Sequence, residues 1–196
     1  MSKGLERGAT FPDFELPDEN GTLHRLSDIQ GDKPMVVLLG RGEHCPRERQ
    51  HQREMLKFYE WCATAVTELV TILPNNLHDV LKLRMTTGAH WPFLADIDLE
   101  VQRTFDIHEY VDQKHTATVP HTVVLAPGLV IDKVYCGFWF WGRPSAYDLW
   151  ADLRDLRKRV NPNFDPTVPE VREAWFASHP DVKPRRPRKP KVPAKA

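Results

Sequence analysis

The chain has 196 residues, 41% of them hydrophobic and 28% charged, with no formal net charge. This suits one soluble globular domain with extensions and argues against two full domains. No apolar run approaches the ~18 residues of a membrane span, and the polar stretch 1–8 lacks the apolar core of a secretory leader. Three unevenly spaced cysteines make no disulfide framework, so a reducing cytoplasm is the expected location and no membrane contact is expected.

Residues 11–16 and 22–26 alternate around Asp18-Glu19-Asn20-Gly21, a turn-rich tetrad that predicts an N-terminal β-hairpin. The continuously apolar run 35–39 reads as a strand buried on both faces. A short turn follows, and then a helix over residues 46–62. Residues 68–73 form a second apolar strand, and 77–85 a helix that stops at Gly88. Residues 90–119 are less regular, with a short helix near 99–105. Strands 122–126 and 129–135 are joined by Pro127-Gly128, the dipeptide a type II turn prefers. Ser145-Ala146-Tyr147-Asp148 is a capping box opening a helix to about Val160. A second box, Thr167-Val168-Pro169-Glu170, opens a short helix ending near Ser178. Strands separated by helices run parallel through right-handed crossovers, and the last pair, with its tight turn, is antiparallel. These constraints predict an α/β fold with a mixed four-stranded sheet covered by helices on both faces.

Cys45 stands out. It follows the turn Gly40-Arg41-Gly42-Glu43-His44, and Pro46 comes straight after it. Proline is favoured at the first helical position, where its missing N–H is not needed. Cys45 is therefore the predicted N-cap, with the unpaired N–H groups and positive dipole end of the helix directed at its sulfur. Thiols in such places lose their proton more easily, and the thiolate is the nucleophile. The plainer alternative is a small residue packed at a strand–helix junction.

Several segments resemble the peroxiredoxin-like (redoxin) family of the thioredoxin fold, related to alkyl hydroperoxide reductases. Gly8-Ala9-Thr10-Phe11-Pro12-Asp13-Phe14-Glu15-Leu16 is similar to the family's opening. Residues 41–48, Arg-Gly-Glu-His-Cys-Pro-Arg-Glu, resemble its Arg-Gly-x-Trp-Cys-Pro-x-Cys motif, and Pro92-Phe93-Leu94-Ala95-Asp96 its Pro-Phe region. Val119-Pro120-His121-Thr122 is similar to the loop whose proline is cis in thioredoxin-like proteins. The resemblance spans residues 8–158. It implies a thioredoxin-like redoxin domain over 1–160, a helical extension over 161–180, and a disordered basic, proline-rich tail over 181–196.

The implied activity is that of a thiol peroxidase or thiol oxidoreductase using one reactive cysteine, Cys45, with a hydroperoxide as substrate. A small thiol or thioredoxin-like protein serves as reductant, and no cofactor is required. Arg41, Gly42, His44, Pro46, Arg47, Glu48, Val119 and Pro120 are the residues expected to position substrate and oxyanion. Pro120 is expected to be cis and to expose the Val119 backbone. His44 stands where the motif has Trp. Glu48 stands where it has its second Cys, so dithiol exchange within the motif is unavailable. The alternative reading is a catalytically degenerate redoxin-fold binding or scaffold protein.

Cys62 lies 17 residues along the helix from Cys45, roughly 25 Å at ~1.5 Å per residue, and a disulfide needs Cα atoms within about 7 Å. Cys136 is the candidate resolving thiol, against its reading as an ordinary half-buried cysteine. Phe138, Trp139 and Trp141, in an aromatic run with Phe140, are expected to pack in the core and line a pocket wall. A homodimer or partner patch is the competing use. Arg143 could bring a cation towards the pocket, but a helix-end surface charge is the expected role. None of the nine histidines has the short ligand spacing of a zinc motif, so no metal is expected. The zero net charge hides an asymmetry, since residues 183–196 hold seven Lys/Arg and no acid. That tail is expected to interact loosely with the acidic body or weakly with a polyanion.

Overall fold

In the computed structural model, residues 3–138, 141–162 and 168–181 are described. β1 (Glu15–Pro17) and β2 (Leu23–Arg25) form the antiparallel N-terminal hairpin, followed by α1 (Leu26–Gln30). The central sheet has five strands in the order β5-β4-β3-β6-β7. These are β3 (Met35–Leu39), β4 (Glu68–Leu73), β5 (Phe93–Ala95), β6 (His121–Ala126) and β7 (Val130–Cys136). β3 runs parallel to β4 and antiparallel to β6, and β6–β7 is antiparallel. The mixed sheet with helices on both faces is thus present.

It has one strand more than the sequence predicted. β5 is only three residues long, too short for a periodicity, yet all three are buried and pair parallel to β4. The five-residue α1 was likewise not predicted.

Strand alternation sorts the core into two faces. Val36 and Leu38 point to a cluster with Met55, Phe58 and Cys62 of α2 (Pro46–Ala65), Val80 and Leu83 of α3 (Leu77–Thr87), and Leu149, Leu153 and Leu156 of α5 (Ala146–Val160). Met35, Val37 and Leu39 face Phe11, Phe14, Leu26 and, from α4 (Glu100–Phe105), Val101 and Phe105. Each such buried side chain contributes about 1.5–3 kcal/mol.

The helices begin and end where local chemistry dictates. Cys45 caps α2 with Pro46 in its first turn, and the Ser145–Asp148 capping box is complete. Gly88 ends α3 at φ 74°. The second predicted box differs. α6 (Pro169–Ser178) has Val168 as its N-cap with no side-chain cap bond, because Pro169 fixes the first turn instead. Thr167 lies outside the described residues, as does the tail from residue 182.

α6 is tied to the start of β4 by His179, whose ring lies 2.8 Å from Glu68 Oε2, while Lys33 Nζ holds Glu68 Oε1 at 2.6 Å. Tyr59 and Cys62 also face this carboxylate, and both are pushed up by burial and by its charge. Burial alone would raise Glu68, but His179 and Lys33 overcome that cost and hold it below the ordinary carboxylate range. A carboxyl lowered in this way stabilises the fold wherever the unfolded chain is ionised, above ~4.3. That contribution is lost as pH falls through the lower folded value. Hydrogen exchange in α6 is therefore expected to quicken in acid before the central sheet opens. Glu68→Gln should remove the acid step and cost about 1–3 kcal/mol at neutral pH. Unchanged α6 protection in that variant would contradict this account.

Candidate active site

The turn between β3 and α2 is held from three sides. Gly40 N–H donates to Ile72 O at 2.9 Å, Thr118 N–H to Arg41 O at 3.2 Å, and Glu43 N–H to Asn75 Oδ1 at 3.0 Å. Gly42 sits at φ 134°, in a region open to glycine, and a Cβ there would meet the His44 ring at 2.9 Å. A Cβ at Gly40 would meet Leu73 at 2.4 Å and the Glu48 carboxyl at 3.0 Å. Cys45 closes the turn: its N–H donates to Gly42 O, and its carbonyl accepts the first helical N–H groups, from Glu48 and Arg49. The residue is 6% exposed, and its neighbour Pro46 is exposed.

One helical turn further on, Glu48 is 1% exposed and its carboxylate is fully engaged. Oε2 accepts from Arg41 N–H at 2.9 Å and from Arg143 Nη2 at 3.1 Å, and Oε1 accepts from Gln52 at 2.8 Å. The chain continues inward: Thr71 Oγ1 donates to Gln52 Oε1 and accepts from Trp91 Nε1. Burial pushes the Glu48 carboxyl upward, yet the Arg143 cation and the two donors hold it below the ordinary range. A buried polar network therefore braces the helix end that carries Cys45. Of the two readings of Arg143, the surface charge is corrected: its side chain is only 10% exposed and pairs with Glu48. No local signal revealed it, because its partner lies 95 residues away.

Arg41 points elsewhere. Its guanidinium lies 2.9 Å from Asp112 Oδ2 and 4.0 Å from Glu109 Oε2. His44 Nε2 lies 3.5 Å from Asp112 Oδ2, and its ring stacks on His115 with centroids 3.9 Å apart. Burial, then the His115 and Arg41 charges, lower His44 against the pull of Asp112, which favours the neutral ring. Despite a desolvation cost, Asp112 is pushed down to about 2 by the Lys114 N–H, the His115 ring and the His115 N–H. Arg47 lies half-buried in the first turn of α2 and bonds Gln50.

Three expectations are corrected. No peptide bond among the described residues is cis, so Val119–Pro120 is trans. The segment enters β6 extended, as residues before proline prefer. Nor is the Val119 backbone available to a substrate: its N–H donates to Ile107 O, and the His121 ring holds its carbonyl at 2.7 Å. Phe138 and Trp141 are 56% and 77% exposed, so they are surface aromatics rather than core. The Phe138 and Trp141 backbones pair with each other, and Trp139 lies outside the described residues.

All three cysteines are free. Cys62 is fully buried near the far end of α2. The register Leu39–His121–Cys136 sets exposed Cys136 two strands from β3.

A curated relative from Mycobacterium tuberculosis, provisionally named a peroxiredoxin, is 28% identical over 106 residues, 53% of this chain and 67% of the relative. Among solved structures, the peroxidoxin BcpB of Mycobacterium tuberculosis aligns with a TM-score of 0.66 at 22% identity, over 78% of this chain and 96% of that one. Reduced Prx3 from Vibrio vulnificus aligns with a TM-score of 0.68 at 15% identity, over 76% and 98%. A model of the AhpC/TSA family matches residues 7–134, from the segment before the hairpin through the turn, Cys45, α2 and most of β7. With the sheet order and capped cysteine described above, that match makes this chain a member of the AhpC/TSA family, a peroxiredoxin-like redoxin of the thioredoxin fold.

Proposed function

We propose that this chain is a thiol peroxidase in which Cys45 is the one reacting sulfur. The thiolate attacks one oxygen of a hydroperoxide. An S–O bond forms as the O–O bond breaks, and the alcohol leaves with a proton. The resulting sulfenic acid is reduced by an external thiol, giving a mixed disulfide and water. A second thiol releases the reductant as its disulfide and restores the Cys45 thiol. The observation that carries this reading is the N-cap position of Cys45 on a helix braced by the buried Glu48–Arg143 pair. The N–H end of α2 is what the site offers the leaving oxygen, while the Arg41 and Arg143 guanidinia are held by Asp112 and Glu48. At 6% exposure of Cys45, a small hydroperoxide suits the site best.

A small thiol or a thioredoxin-like protein is the proposed reductant and the cytoplasm the proposed location. Among the described residues no helix is long and apolar enough to cross a membrane. Residues 1–160 are assigned to the redoxin unit, 161–180 to the helical extension, and 181–196 to a basic tail with weak affinity for polyanions. Reduced protein mixed with excess dithiol and a small hydroperoxide is expected to consume many equivalents of peroxide. Consumption at the uncatalysed rate would defeat the reading.

The low exposure of Cys45, with Phe138 and Trp141 in solvent, favours one second reading: a redoxin-fold binding protein without turnover, self-associating or holding a partner through that aromatic edge. In that case Cys45→Ser changes nothing and Phe138→Ser/Trp141→Ser abolishes association.

A further inference from the structure

The loop after α4 brings Asp112 and His115 against His44 of the Cys45 turn. His44 Nε2 lies 3.5 Å from Asp112 Oδ2, and His115 Nδ1 lies 3.1 and 3.2 Å from the two Asp112 oxygens. All three donor atoms lie within 4.8 Å of one another. Donors about 2.0–2.1 Å from a tetrahedral zinc ion stand roughly 3.3 Å apart, and the two spacings to Asp112 are close to that value. Two imidazoles and a carboxylate suit a borderline divalent transition metal and leave a fourth position open. Beside His44 and His115 opens a cavity of about 380 Å³, lined by polar groups such as Glu43, Asn75 and Asp79 and by the apolar Ile97 and Leu99, through which a hydrated cation can approach.

Two features oppose an ion, and the fold offers an answer to each. The His44 and His115 rings lie parallel, 2° between planes, so no single ion can lie in both ring planes. The His115 side chain is 46% exposed and can turn to present Nδ1. Arg41 also holds Asp112 Oδ2, and a cation there would repel it. Glu109 Oε2, buried and without a hydrogen-bond partner among the described residues, stands 4.0 Å from Arg41 Nε. It can receive the guanidinium that Asp112 releases.

The geometry points to a binding site for a zinc-class divalent ion on His44 Nε2, the Asp112 carboxylate and His115 Nδ1, whose occupancy passes Arg41 from Asp112 to Glu109. The turn ending in Cys45 is then pinned to the 108–118 loop by the ion. The site shares Arg41 and His44 with the Cys45 turn, but ion binding stands whether or not Cys45 turns over.

Equilibrium dialysis of the untagged, reduced full chain against Zn²⁺ tests it. One equivalent is expected, weakened at least about tenfold in His115→Ala and in His44→Ala and retained in Cys45→Ser and Cys136→Ser. Co²⁺ in place of Zn²⁺ should give visible ligand-field bands without the near-ultraviolet charge-transfer absorption of a thiolate ligand. Because His115 is exposed, its alanine variant should keep the parent far-ultraviolet spectrum. Unchanged affinity in His115→Ala, loss of the ion in either cysteine variant, or no binding to the parent chain would overturn the site.

Discussion

Arg143→Met is expected to destabilise the protein by about 3–5 kcal/mol, and Glu48→Gln by a similar amount, because each leaves the other member of a buried pair without its counter-charge. The carboxylate is 1% exposed and the guanidinium 10%, so water can compensate neither. For a chain of this size each kcal/mol shifts the melting temperature by roughly 2–4 °C, making the loss easy to read in a denaturant or thermal melt. The double variant should lose clearly less than the sum of the singles, since residues sharing one network couple. It should still fall below the parent, because Glu48 also accepts from Arg41 N–H and Gln52. Additive single effects of less than about 1 kcal/mol each, the scale of an exposed ion pair, would show that the pair does not brace the turn.

Cys45→Ser is expected to cut peroxide turnover at least about 10³-fold, as loss of a nucleophile does elsewhere, while leaving the melting temperature near that of the parent. Cys62→Ser and Cys136→Ser should turn over at close to the parent rate. Cys62 is sealed within the α2–α5 core. Cys136, two strands and roughly 10 Å from β3, is beyond the ~7 Å that a disulfide tolerates unless the turn moves. If Cys136→Ser alone abolished turnover with a small-thiol reductant, the single-cysteine cycle would give way to one in which Cys136 resolves the sulfenic acid.

What was legible in the sequence was local. The apolar run 35–39, the Cys45–Pro46 start of α2, the Ser145 capping box and the Gly88 stop each declare themselves within a few residues, because caps, proline and strand burial act at short range. These features were enough for the layering of the fold and for picking out Cys45. What escaped depends on contacts between distant segments. Arg143 meets Glu48 across 95 positions and Asp112 meets Arg41 across 71, and neither residue type is distinctive where it stands. His44 and His115 have no zinc-motif spacing, yet the fold stacks them. β5 is held by burial and pairing rather than by any pattern three residues could display. The Pro120 expectation came from a family loop. Here the local partners, Ile107 for the Val119 N–H and His121 for its carbonyl, hold the segment extended and trans.

Sulfenic-acid trapping is the most direct test of the claim that the capped sulfur does the chemistry. Reduced protein treated with one equivalent of hydroperoxide and a carbon nucleophile selective for sulfenic acid should carry a single adduct, on the peptide containing Cys45. An unlabelled Cys45 with the adduct on Cys136 or Cys62, or no adduct while the thiols stay reduced, would contradict the account.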